Sequence, residues 1–104
     1  MKLWLDDIRE PWKHGFINSE WCRTADEAIQ RLKIGDITFA SLDHDLSIDD
    51  TMGTPKGEKT GYTVICFMEE NNIWPMNGVR VHSMNPVGRQ KMEAVIYKHY
   101  GRNF

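Results

Sequence analysis

At 104 residues, with 40% hydrophobic and 27% charged residues, the chain has the make-up of one ordinary globular domain spanning residues 1–104. A formal net charge of −2 argues against a general polyanion binder with an extended nucleic-acid surface, and leaves room for a small anion held by a few local charges. Cys22 and Cys66 are isolated, which excludes a disulfide framework or a CxxC metal site and predicts buried thiols.

The opening apolar run is too short for a signal peptide, and no stretch approaches the ~18 apolar residues of a membrane span. A cytoplasmic protein with no membrane partner is expected.

Lys2 to Leu5 reads as a short apolar strand that stops at Asp6 and Asp7. Pro11 argues against a continuous helix after it, so residues 12–19 read as a loop. Residues 20–23 read as a short second strand. Thr24-Ala25-Asp26-Glu27 is a capping box, with Thr24 as N-cap and Glu27 reaching back to the backbone. Ala28, Ile29 and Leu32 then supply an apolar stripe through Lys33, and Gly35 ends the helix.

Residues 37–42 are rich in β-formers and read as a buried strand that runs directly into Asp43-His44-Asp45. Residues 47–59 are too polar and too rich in Gly and Pro for regular structure. They read either as a lid over a site or as a mobile insertion. Thr60 can cap a helix from Gly61 to Asn71. Val79 to Val81 is another buried strand, ending in His82-Ser83. Asn85 with Pro86 behind it is a helix start, and Gly101 closes that helix. The alternation predicts an α/β fold: a small, mostly parallel sheet with helices on both faces.

In a parallel sheet the three strand ends share one edge, so Asp6, Asp7, Asp43, Asp45, His44 and His82 would line one crevice. Carboxylates gathered there repel one another unless a pKa rises, a cation enters or basic groups stand close. Oxygen donors with room for water suit Mg²⁺ or Mn²⁺ better than zinc, with Asp6, Asp7, Asp43 and Asp45 as the candidate ligands. The helix starting at Asn85-Pro86-Val87-Gly88-Arg89 would present free N–H groups at the same edge. Arg9, Ser83, Asn85, Gly88 and Arg89 are therefore the candidate phosphate-binding residues. Trp4, Trp12, Trp21 and Trp74 read as packing, and His14 and His99 as surface residues.

An acidic pair after the first strand, an Asp ending the third and a Ser after the fourth resemble the receiver (flavodoxin-like) domain of two-component signalling. Four blocks carry a closer resemblance: Leu3-Trp4-Leu5-Asp6-Asp7-Ile8-Arg9-Glu10-Pro11, Leu42-Asp43-His44-Asp45-Leu46, Thr60-Gly61-Tyr62 and His82-Ser83-Met84-Asn85-Pro86-Val87-Gly88-Arg89. Together they are similar to the cyclic-phosphate-processing receiver-like family of bacteria and phages. The resemblance implies handling of cyclic phosphates on nucleotides or RNA ends, in a receiver-like fold that here lacks the fifth strand. The Lys that a signalling receiver carries after its fifth strand is missing, which argues against phospho-acceptor signalling.

These observations lead to one expectation: a small phosphoesterase that opens a cyclic phosphate of a nucleotide or RNA terminus. Asp43, His44 and His82 would carry the chemistry, because imidazole titrates near neutral pH and can serve as acid or base. The alternative is a non-catalytic receiver-like module that binds a nucleotide or a protein.

Overall fold

A computed structural model of the chain describes residues 1–46 and 59–101. The elements run in the order β1 (Lys2–Leu5), a single 3-10 turn (Pro11–His14), β2 (Ser19–Cys22), α1 (Ala25–Lys33), β3 (Phe39–Leu42), α2 (Gly61–Asn71), β4 (Val79–Val81) and α3 (Pro86–Tyr100). The strands form one sheet in the order β2-β1-β3-β4, parallel throughout.

The helix starts follow the chemistry read from the sequence. Thr24 accepts the Glu27 amide at 3.1 Å, Thr60 exchanges bonds with Tyr62 and Thr63, and Asn85 accepts the Gly88 amide at 3.0 Å. Each satisfies an amide that the first helical turn would leave without a partner. Glu27 departs from the expected box in one detail: its carboxylate accepts the Arg23 amide at 2.8 Å, one residue before the cap.

Three boundaries differ from the expectation. Residues 11–14 form a 3-10 turn where a loop is expected. Pro11 at its first position needs no amide partner, and Gly15 closes the turn at φ +77°. β2 starts and ends one residue earlier than expected. β3 begins at Phe39 rather than Ile37, although Thr38 still donates to the Met1 carbonyl at 2.8 Å. The stretch read as a lid or insertion lies largely outside the described residues.

Right-handed crossovers decide what covers each face. The chain moves from β1 to β2 in one direction across the sheet, then returns past β1 to β3 and on to β4. Connections of one hand must lie on opposite faces when they run in opposite directions. Strand residues Leu3, Leu5, Cys22, Ala40, Leu42, Val79 and Val81 accordingly join Ala28, Leu32, Val64, Ile65, Met68, Met92 and Ile96 in one core beneath α1, α2 and α3. On the opposite face, the 3-10 turn and the residues after it lie against Trp4, Trp21 and Phe39, through His14, Trp12 and Phe16. The three α-helices thus share one face, and the 3-10 turn with the residues after it thinly covers the other. No helix among the described residues is long and apolar enough to cross a membrane.

Candidate functional site

The direction reversal falls between β1 and β3, the position where open α/β sheets hold their ligands. Register places the chemistry there. Trp4, Ser41 and Arg80 are neighbours across β1, β3 and β4. One step on, Leu5, Leu42 and Val81 pair in the same way. Pairing continues past the strand ends, with the amide of Asp43 on the Leu5 carbonyl (2.9 Å) and that of His82 on the Leu42 carbonyl (3.0 Å). Asp6, Asp43 and His82 therefore form the next lateral row. Side chains alternate along a strand, so this row shares the thinly covered face with Trp4, Ser41 and Arg80. Ligand atoms of Asp6, Asp43 and His82 lie within 4.8 Å of one another.

The turn after β1 is fastened by its own carbonyls. Trp4 Nε1 donates to the Arg9 carbonyl (2.8 Å), Trp21 Nε1 to that of Asp6 (2.7 Å), and the Arg23 guanidinium to that of Asp7 (2.8 and 3.1 Å). Asp6 Oδ1 accepts the amides of Ile8 and Arg9 at 2.9 and 2.8 Å. Its Oδ2 meets His82 Nε2 at 3.0 Å and Arg9 Nη1 at 3.2 Å. The same Arg9 atom stands 3.7 Å from Asp43 Oδ2, so one guanidinium bridges both carboxylates.

The two acids are driven apart. Burial pushes the Asp6 carboxyl up, but bonds from His82 and from the Arg9 and Ile8 amides outweigh it and bring the pKa down to about 2. Burial and the neighbouring Asp6 charge push Asp43 up, against weaker pulls from His82 and Arg9. Environments that separate two carboxyls in this way suit them to different proton roles.

His82 is held on three sides. Its ring stacks on Trp4 at a centroid distance of 4.0 Å and an angle of 4°. Nε2 faces Asp6, and Nδ1 is 2.8 Å from Ser41 Oγ. Arg80 Nε donates to that hydroxyl at 3.3 Å. A hydroxyl can accept twice and still donate. Ser41 therefore anchors the ring whether Nδ1 is an acceptor in neutral imidazole or a donor in imidazolium.

Asp7, buried, and Asp45, largely exposed, line the same cavity as Asp6, Asp43, Ile8, Arg9 and Met84, a space of about 360 Å³. Asp45 accepts from His44 Nδ1 (2.7 Å) and from the Asn85 amide side chain (3.1 Å), and both bonds hold its pKa below the usual carboxylate value. Ser83 is buried and accepts the Asn85 amide at 3.0 Å. Gly88 faces His44: a Cβ there would stand 2.4 Å from the imidazole Cγ, so the side chain Gly88 admits is this ring. Arg89 pairs with Glu93 one helical turn on, at 3.2 Å. Among the described residues lining the cavity, the cation is Arg9.

Ser41, Arg80 and Trp4 are the supports that sequence reasoning missed as part of the site. Their signal was available: Ser41 is a hydroxyl inside an apolar run, two residues before Asp43 and so on the same face. Arg80 likewise interrupts Val79 and Val81 two residues before His82.

No curated protein and no solved structure matches the chain. A family model described as the cyclic-phosphate processing receiver domain matches residues 1–98. With its parallel receiver-like sheet and acid-imidazole row at the strand ends, the chain belongs to the cyclic-phosphate processing receiver family.

Proposed function

We propose that the chain is a phosphodiesterase that opens the cyclic phosphate of a small nucleotide or an RNA terminus. The observation that supports this is the gathering of Asp6, Asp43 and His82 within 4.8 Å, with Arg9 against both carboxylates. In the reaction water adds to phosphorus, one ring P–O bond breaks, and the freed ribose oxygen takes a proton. Asp43, whose surroundings raise its proton affinity, accepts the proton of the attacking water. The imidazolium form of His82 gives its Nε2 proton to the leaving oxygen while Ser41 keeps hold of Nδ1. Asp43 then returns a proton to the ring, which restores both groups. Arg9 moves its guanidinium from the carboxylates to the phosphoryl oxygens, where charge builds.

The two carboxylates of the cluster also offer oxygen donors of the kind that suit Mg²⁺ or Mn²⁺ with retained water. Asp6 and Asp43 would each lend a carboxylate oxygen to the ion, leaving His82 Nε2 for proton transfer, and the ion would supply further positive charge to the phosphoryl oxygens.

Purified protein, with and without Mn²⁺ or Mg²⁺, is expected to convert adenosine 2′,3′-cyclic phosphate to a monoester resolved by chromatography. His82→Ala should lower kcat/KM at least ~100-fold, the low end for one acid-base group. Undiminished turnover by the mutant would remove His82 from the scheme. One observation favours a second reading, a module that binds without turnover: both ring nitrogens of His82 already have protein partners. Stoichiometric retention of intact cyclic nucleotide would select it.

A further inference from the structure

The thinly covered face holds a second cavity, of about 330 Å³, lined by Trp4, Arg9, His14, Arg80, His82 and Met84. It shares Arg9 and Met84 with the carboxylate cavity, so the two meet beneath one guanidinium and one thioether. Its volume is near the low end for small-ligand pockets, the scale of one nucleoside rather than a polymer. The lining combines flat and cationic groups. His14 is exposed and lies nearly parallel to Trp4, with centroids 5.7 Å apart and an angle of 17°. The exposed Arg80 places its guanidinium over Phe16 at 5.4 Å. Met84 is 84% exposed, and an unbranched thioether adapts its shape to an aromatic partner.

We propose that this cavity is a base shelf: it receives the nucleobase of the substrate whose cyclic phosphate occupies the Asp6-Asp43-His82 row. The proposal rests on the reading above and adds to it a binding site for the base of that substrate, apart from the phosphate. His14 and Arg80 offer the base planar partners, and Met84 closes over it. Every base has a π-face, so the shelf takes purines and pyrimidines alike. Charge complementarity favours an anionic ligand such as a nucleotide, because Arg9 and Arg80 both line this cavity and Arg9 also lines the carboxylate cavity beside it.

Calorimetric titration of the full chain with adenosine 3′-monophosphate and with ribose 3-phosphate tests this. The nucleotide is expected to bind at least ~5-fold tighter, the low end for one stacked base. His14→Ala should cut that preference at least ~3-fold without changing ribose-phosphate affinity, and Arg80→Gln should cut it at least as far. Equal affinity for the two ligands, or a preference that survives in both variants, would overturn the shelf. Cyclic-phosphate turnover assayed in parallel separates the two ideas. Turnover without base preference removes only the shelf, and base preference without turnover supports the shelf while removing catalysis.

Discussion

The two faces of the sheet are built from alternate residues of the same strands and do opposite work. Leu42 points into the helix-covered core and is fully buried. Ser41, its neighbour, is equally buried but spends its hydroxyl on His82 and Arg80. One face supplies most of the apolar burial, so the other is free to carry polar groups that must be hydrogen-bonded one by one. The site inherits its geometry from that second face: Asp6, Asp43 and His82 stand two residues beyond Trp4, Ser41 and Arg80.

That comparison can be broken most forcefully at Leu42 and Ser41. Leu42→Ala should cost ~2–5 kcal/mol of stability through the cavity it leaves under the helices. Ser41→Ala should cost ~1 kcal/mol, the net worth of a hydrogen bond. Urea unfolding of both variants checks the difference, and equal losses would deny the division between the faces.

Gly61 is where the two faces meet. A Cβ there would stand 2.0 Å from the Asp43 carbonyl oxygen and 2.9 Å from its carbon. Backbone must therefore move in Gly61→Ala, at a cost of ~1–3 kcal/mol, and the carboxylate row moves with it. Thermal unfolding measures the first effect and nucleotide binding the second. A variant of wild-type stability would show that α2 does not brace the site.

A further effect is pH dependence. Asp6 titrates lower in the folded chain, at about 2, than its ordinary 3.8. Below 3.8 the unfolded chain takes up this proton first, so the contribution is complete above 3.8 and fades as pH falls toward 2. Its size is about 2 kcal/mol. Asp43 is shifted the other way and works against folding above its ordinary pKa. The urea midpoint of Asp6→Asn should therefore fall below wild type by more at pH 7 than at pH 2.

Much of this was legible in the sequence because it is written locally. Thr24, Thr60 and Asn85-Pro86 mark helix starts through bonds made within three residues. Asp6, Asp43 and His82 stand out because charge seldom ends an apolar run without a reason. What was not legible depends on partners distant in the chain. Gly88 looks like a gap for a ligand until His44 fills it. Arg89 looks like a clamp until Glu93 takes it. Trp4 and Trp21 are packing residues, as read, but their indole N–H groups also pin the β1 turn, which only cross-strand register reveals.

The central claim is that one lateral row of Asp6, Asp43 and His82 performs chemistry on a cyclic phosphate. Phosphorus NMR of a 2′,3′-cyclic mononucleotide with a small molar fraction of protein, with and without Mg²⁺ or Mn²⁺, tests it most directly. The account predicts that the cyclic resonance gives way to monoester over many equivalents in at least one of those conditions. A cyclic resonance that persists undiminished in all of them would contradict it.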